Sequence, residues 1–233
     1  MPNGERSRMT RRRAVCSFSG GKDSCLALWR AQAEEQRLDV RALLVMFDES
    51  GERSRSHALP PSIVARQAES LGLELVMRSA SWKTYEQVFV EALKELREAG
   101  YEVAVFGDID LQEHRDWEEK VCAAAGMTAC LPLWQIDRTT LVKEVLEAGF
   151  RARVVCVDSR YLSDDFCGRE YDEAFLRDLP PGVDACGENG EFHTLVYDGP
   201  SFSHPVSYAI DGFEDVVTAP EFGAVRYRFA RLR

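Results

Sequence analysis

The eight residues Ser17-Phe18-Ser19-Gly20-Gly21-Lys22-Asp23-Ser24 constrain this chain more than any other stretch. They follow a short apolar run, Ala14-Val15-Cys16, and precede a helical pattern that starts near Cys25. That order reads strand, glycine-rich turn, helix. Two adjacent glycines let a backbone take positive φ and pass close to a ligand. The turn then aims free N–H groups and the positive end of a helix at one point, which suits a phosphate. Lys22 adds a point charge, and Ser17, Ser19 and Ser24 add hydroxyls. Asp23 would repel a phosphate unless a cation lay between them, so it reads as a holder of hydrated Mg²⁺ or as a shaper of the turn. The string Ser-Gly-Gly-x-Asp-Ser arises by chance in on the order of one in several thousand chains of this length, so an incidental turn is the weaker reading. The spacings Gly-x-x-x-x-Gly-Lys-Ser/Thr and Gly-x-Gly-x-x-Gly are both absent.

The strand–turn–helix order recurs downstream. Arg41–Phe47 is a continuous apolar run, expected as a strand buried on both faces. Asp48–His57 is polar and turn-rich, a loop at that strand's carboxyl end. Ser62–Leu71 reads as helix and Leu73–Met77 as strand. Thr84-x-x-Gln87 has the form of a capping box ahead of a clean amphipathic helix that Gly100 ends. Val103–Phe106 is a fourth strand, Trp117, Val121 and Ala124 mark a helix, and Thr128–Trp134 contains a short fifth strand. Such alternation predicts crossover units and a doubly wound parallel sheet. Its ligand belongs at the carboxyl ends of the strands, where strand order reverses between the first and the fourth. The loops meeting there are the glycine-rich turn and Gly107-Asp108-Ile109-Asp110, which makes Gly107 and Asp108 candidates and Asp110 a weaker one.

After Leu133 the character changes. A helix over Arg138–Ala148, a strand over Ala152–Val157 and a helix over Arg169–Leu179 are expected. Then comes Gly182–Thr194, which carries Glu188, Glu191 and His193 close together. These side chains could hold a metal or handle a nucleophile's proton. A solvated turn is the competing reading, because Glu-x-x-Glu-x-His lacks the force of His-Glu-x-x-His. Leu195–Asp198 looks extended, and alternation around Val206–Ile210 and Val225–Phe229 predicts further strands.

Bulk properties exclude several classes. Net charge is −10 over 233 residues, which speaks against a nonspecific nucleic-acid partner. No apolar run approaches a membrane span, so no membrane partner is expected. Seven cysteines, with no Cys-x-x-Cys, predict reduced thiols and a cytoplasmic protein. Residues 1–13 hold Arg6, Arg8, Arg11, Arg12 and Arg13 without apolar periodicity and predict a disordered basic tail.

The glycine-rich turn resembles the pyrophosphate loop of the N-type ATP pyrophosphatases, which split ATP between the α- and β-phosphates. Combined with Gly187-Glu188-Asn189-Gly190-Glu191-Phe192-His193-Thr194, Gly107-Asp108-Ile109, His114-Arg115, Pro132-Leu133-Trp134 and Asp198-Gly199-Pro200, the chain is similar to the diphthine–ammonia ligase family over nearly its whole length. The resemblance implies a Rossmann-like ATP-binding pyrophosphate-loop domain over 14–135 and a smaller α+β substrate domain over 136–233. It implies that a carboxylate is adenylated, pyrophosphate leaves, and ammonia displaces AMP, with diphthine as acceptor in the family's named reaction. ATP and Mg²⁺ are the implied cofactors, and a homodimer stays open. Ser17, Ser19, Gly20, Gly21, Lys22, Asp23 and Ser24 would hold the phosphates, Met46, Phe47 and Gly107 the nucleoside, and Asp23 and Asp108 the metal. Lys22, Asp23, Asp108, Glu188, Glu191 and His193 would carry the chemistry. His193 stands where other members carry a second acid and resembles the bacterial-type form. Two alternatives remain at this point: a nucleotide-binding sensor without turnover, and a tRNA-modifying adenylating enzyme.

Overall fold

A computed structural model describes residues 11–33, 38–55, 57–219 and 223–233. Most of the expected basic tail lies outside these residues. Arg12 and Arg13 belong to the first strand, so order begins before Ala14.

The first sheet comprises β1 (Arg12–Ser17), β2 (Leu38–Phe47), β3 (Glu74–Ser79), β4 (Val103–Val105) and β5 (Thr128–Cys130). All neighbours are parallel in the order β3-β2-β1-β4-β5. The reversal of strand order thus falls between β1 and β4. The connecting helices are α1 (Lys22–Gln32), α2 (Pro61–Leu71), α3 (Tyr85–Glu98) and α4 (Gln112–Ala124). Successive side chains on a strand face opposite ways, and here that alternation builds two cores. Ala14, Cys16, Leu43, Val45, Val103 and Val105 face α1 and α2. Val15, Ala42, Leu44, Met46, Ala104 and Phe106 face α3 and α4.

The C-terminal part begins with α5 (Arg138–Glu147) and forms a second, antiparallel sheet. Its strands are β6 (Arg151–Asp158), β7 (Phe192–Asp198), β8 (Ile210–Val217) and β9 (Arg226–Leu232), in the order β7-β6-β9-β8. Ala152, Val154, Leu195 and Val196 join the same apolar cluster as Leu26, Ile63 and Leu43. Helix α1 is therefore held between the two sheets. The sequence pattern suggests one buried face for it, but Lys22, Ser24, Cys25, Leu26, Ala27, Leu28 and Ala31 are all buried. A helix buried on more than one side loses the clean stripe of a surface helix.

Four local expectations are corrected. Thr84 does precede α3, yet its side chain makes no cap; its Oγ1 accepts from Ser81 N–H instead, and Gln87 donates to Glu91. The helix expected from Arg169 is shorter, α6 (Glu173–Asp178), because Glu170 bridges to Arg153 and Asp172 is the cap. His193 lies within β7 rather than in the loop before it. The strand expected around Val206 and Tyr208 begins only at Ile210. No helix among the described residues is long and apolar enough to cross a membrane.

Leu26 tests the layered arrangement. It is fully buried within α1. Leu26→Ala is expected to lower unfolding free energy by about 2–5 kcal/mol in equilibrium urea titration. A loss below about 1 kcal/mol would mean that α1 is not gripped from two sides.

Candidate active site

The carboxyl ends of β1, β2 and β4 open into a cavity of about 530 Å³ whose far wall is the 186–194 segment. The glycine-rich loop forms its floor. Gly20 has φ +81, the left-handed region that favours glycine. Gly21 has an ordinary extended backbone and is needed for space instead: a Cβ there would lie 2.3 Å from His57 Cε1. Gly107 meets the same limit from the β4 side, where a Cβ would sit 2.9 Å from the Asp23 carbonyl carbon. The two loops that flank the reversal of strand order therefore touch through a residue without a side chain.

Strand β7 is bonded directly to this loop. Val196 N–H donates to Gly20 O at 2.9 Å, and Lys22 N–H donates to Thr194 Oγ1 at 3.1 Å. Fully buried Gln67 on α2 donates through Nε2 to both Gly20 O (3.0 Å) and Val196 O (2.7 Å). Gly21 N–H donates to Ser19 Oγ, and Ser19 and Ser24 hydroxyls bond each other at 3.1 Å. Two loop N–H groups expected to be free thus have protein acceptors.

Lys22 is buried, and its Nζ donates to both Asp23 oxygens at 2.8 and 2.7 Å. Burial is the largest single influence and would lower its pKa, but Asp23, Tyr171, Cys186 and Glu188 together outweigh it and raise the value, so Lys22 stays cationic. Asp108 accepts from His114 Nδ1 at 2.6 Å. Burial alone would raise the Asp108 carboxyl, but hydrogen bonds from His114 and Glu118 hold it below the usual carboxylate range. Glu118, buried on α4, is pushed up to about 11, first by burial and then by its bond to Asp108. The two carboxyls share one proton, as close carboxyl pairs do.

Glu188 enters the cavity from the opposite wall. Its backbone N–H is fixed by Asp184 Oδ2 at 3.1 Å. Arg138 in turn grips Asp184 (2.5 Å) and Asp110 (2.6 Å), tying the loop after β4 to this segment. Asp110 thus serves the frame. The Glu188 carboxyl is pushed up to about 7, first by burial and then by the charge of Asp23. His193 and His57 lie side by side, ring centroids 4.8 Å apart. His57 Nδ1–H donates to Thr194 O at 2.7 Å, and burial lowers its pKa to about 4. Burial, then repulsion from His57 and Lys22, lowers His193 well below the ordinary histidine value. Both imidazoles are neutral near pH 7, and the ring nitrogens of His193 make no hydrogen bond among the described residues.

Of the residues singled out from sequence, Ser17, Ser19, Lys22, Asp23, Ser24, Met46, Gly107, Asp108, Glu188 and His193 line this one cavity. Gly20 and Gly21 shape its floor. Phe47 does not line it: strand alternation turns the ring into the α1–α2 core, and its carbonyl accepts from Ala80 N–H. Glu191 does not line it either. Its buried carboxylate accepts from Asp184 N–H (3.2 Å), Asn189 N–H (3.0 Å) and Asn189 Nδ2 (2.9 Å), which shapes the turn that carries Glu188. Arg55, His57 and the aromatic wall of Trp82, Tyr85 and Trp117 escaped the sequence reading. For Arg55 and His57 the one signal is position, since the 48–57 loop follows a strand at its carboxyl end.

Comparisons with known proteins identify the family. The model of the diphthamide synthase N-terminal domain matches residues 12–129, and that of the diphthamide synthase C-terminal domain matches residues 137–212. The chain is 27% identical over 240 residues to the diphthine–ammonia ligase of Rattus norvegicus, covering 92% of this chain and 89% of that protein. It is 27% identical over 247 residues to the Homo sapiens diphthine–ammonia ligase (94% and 91% covered) and 26% identical over 245 residues to that of Danio rerio (94% and 95%). With both family models matched in order along one continuous fold, this chain belongs to the diphthamide synthase family.

Proposed function

We propose that this chain is an AMP-forming, ATP-dependent amide synthase of the diphthine–ammonia ligase type. The observation that carries the reading is the shared cavity, with a pyrophosphate loop on one wall and Glu188 and His193 on the other. The relatives' name supports a carboxylate acceptor and ammonia as the second substrate. Neither the sensor nor the tRNA-modifying alternative has such support. The latter also suits poorly a chain whose thiols Cys16, Cys25, Cys122, Cys156, Cys167 and Cys186 are buried, with pKa values pushed up by burial.

Lys22 and the N-terminal turn of α1 bind the β- and γ-phosphates and stabilise the charge on departing pyrophosphate, the larger catalytic contribution. Among the described residues no group of three or more His, Cys, Asp or Glu side chains forms a metal cage. That suits Mg²⁺ carried in with the nucleotide, which needs one or two carboxylates plus phosphates and would offset charge between the α-phosphate and pyrophosphate. Asp23 and Asp108 both line the cavity and would be the carboxylates for it. Met46 supports the nucleoside. The acceptor carboxylate attacks the α-phosphate; the nitrogen nucleophile then attacks the acyl carbon and AMP leaves. Glu188, half ionised near pH 7, takes the nitrogen's surplus proton. His193 orients the incoming nitrogen as a neutral partner, and Glu191 holds the turn beneath Glu188.

Incubation with ATP, Mg²⁺, ammonium and a metabolite extract is expected to yield AMP and pyrophosphate. ADP and phosphate would contradict the reading. Glu188→Gln is expected to cut turnover by roughly 10²–10⁴-fold while ATP affinity stays within about threefold. The same residue gives a pH signature. A carboxyl raised from 4.5 to about 7 stays protonated in the folded chain while its unfolded counterpart has ionised. Wild-type stability relative to Glu188→Gln should therefore fall as pH rises from 4.5 to about 7, then level off. A difference in Tm that stays constant across that window would refute the assignment.

A further inference from the structure

Among the described residues, two of the cavity's cationic side chains are paired and a third is not. Lys22 is held by Asp23, and His114 by Asp108. Arg55 also lines the cavity, yet among the described residues no carboxylate pairs with it. Its guanidinium carbon lies 4.3 Å from the centroid of the Trp82 ring. Nη2 donates to the Ala80 carbonyl, and Nε is buried without an acceptor. The backbone is better anchored than the head group: Arg55 N–H donates to Met46 O at 3.0 Å, and the loop is pinned to β2 through the Phe47–Ser54 bridge. An arginine presents five N–H donors in a planar fork, and most of this fork is unused. Trp82 itself is 74% exposed, so the ring is a resting place at the rim rather than a core contact.

The rest of the cavity leaves such an arginine a use, since Lys22 is held by Asp23 and His114 by Asp108. Asp23, Asp108 and Glu188 face the same space, so any anionic substrate group meets carboxylates on three sides. His57 and His193 offer it no positive charge near neutral pH. We propose that Arg55 is a substrate-binding arm that leaves Trp82 to grip an oxyanion of the reacting pair, either the acceptor's carboxylate or a phosphoryl oxygen of the nucleotide. This rests on the reading of the cavity as an adenylating site. Both groups match the bidentate geometry that makes arginine, rather than lysine, the usual partner of carboxylate and phosphate. Arg55 and His57 leave the same loop for opposite walls, so one segment serves both the oxyanion and the pyrophosphate loop.

Trp82 provides a readout that needs no turnover. The full chain is titrated with AMP, with adenosine, and with acetate in the presence of Mg²⁺ and α,β-methylene-ATP, while tryptophan emission is followed. Trp82→Phe identifies the part of the signal that belongs to this ring. In the wild type, AMP or acetate should change Trp82 emission as Arg55 leaves the ring. In Arg55→Gln the affinity for that probe should fall roughly 10- to 100-fold, as expected when a hydrogen-bonded charge is removed. Adenosine affinity should stay within about twofold, and Arg55→Lys should recover part of the loss. A loss confined to AMP assigns the phosphoryl group, and a loss confined to acetate assigns the carboxylate. Equal losses for AMP and adenosine, or no loss for either anion, would overturn the proposal. A wild type that binds no nucleotide would overturn the adenylating reading instead, and the acetate titration would still test Arg55.

Discussion

The structure depends on the seam between strand β7 and the pyrophosphate loop. A loop rich in glycine is costly to order, since fixing each backbone residue loses roughly 1–2 kcal/mol of conformational free energy. Nothing within Ser17–Ser24 offsets that cost fully. The compensation comes from 170 residues downstream in sequence, where Thr194 and Val196 accept from and donate to the loop, and from Gln67, whose single amide bridges both. Each such bond contributes about 0.5–1.5 kcal/mol net, but these are buried, so losing one strands its partner as well. The second sheet is therefore part of what shapes the glycine-rich loop, and α1, packed between the sheets, is the piece that aligns them.

From that seam the walls of the cavity follow by strand geometry. Met46 and Phe106 turn toward α3 and α4, where Tyr85 and Trp117 complete an aromatic wall, while their neighbours on the same strands fill the opposite core. The 186–194 segment closes the remaining side. Its shape is set by acids that are not exposed to substrate: Asp184, clamped by Arg138, and Glu191, saturated by three donors. A hydrogen-bonded frame of this kind holds the backbone of Glu188 in place.

Much of this was legible in the sequence, for identifiable reasons. The parallel sheet could be read from apolar runs alternating with helical spacing, and the reversal between β1 and β4 from the rule that places ligands there. Lys22, Asp23, Asp108, Glu188 and His193 converge because motif and topology pointed to one place. The failures share a cause, which is that sequence names a residue but not its direction. Met46 and Phe47 looked equivalent until the pleat separated them. Glu188 and Glu191 looked like a pair until one faced the cavity and the other the turn beneath it. The cap expected at Thr84 was lost to a competing bond with Ser81. Arg55 and His57 sat in a polar loop with no motif, and only the fold of that loop against β2 and β7 gives them a site.

The chemistry shows the same limit at the level of protons. In water an imidazole is a stronger base than a carboxylate, near 6.5 against 4.3, and the sequence names Glu188, Glu191 and His193 together as candidates to handle a proton without choosing among them. Inside this cavity the order inverts. Burial penalises whichever form is charged, which lowers His57 to about 4 and His193 well below its ordinary value, yet raises Glu188 to about 7. Lys22 adds to the inversion for His193 by repulsion, and Asp23 adds to it for Glu188. The carboxylate then becomes the better base, and the two histidines become a neutral wall able to donate and accept without holding a charge. The inverted order of basicity between Glu188 and the histidine pair is thus a property of the cavity the seam creates, rather than of the side chains themselves.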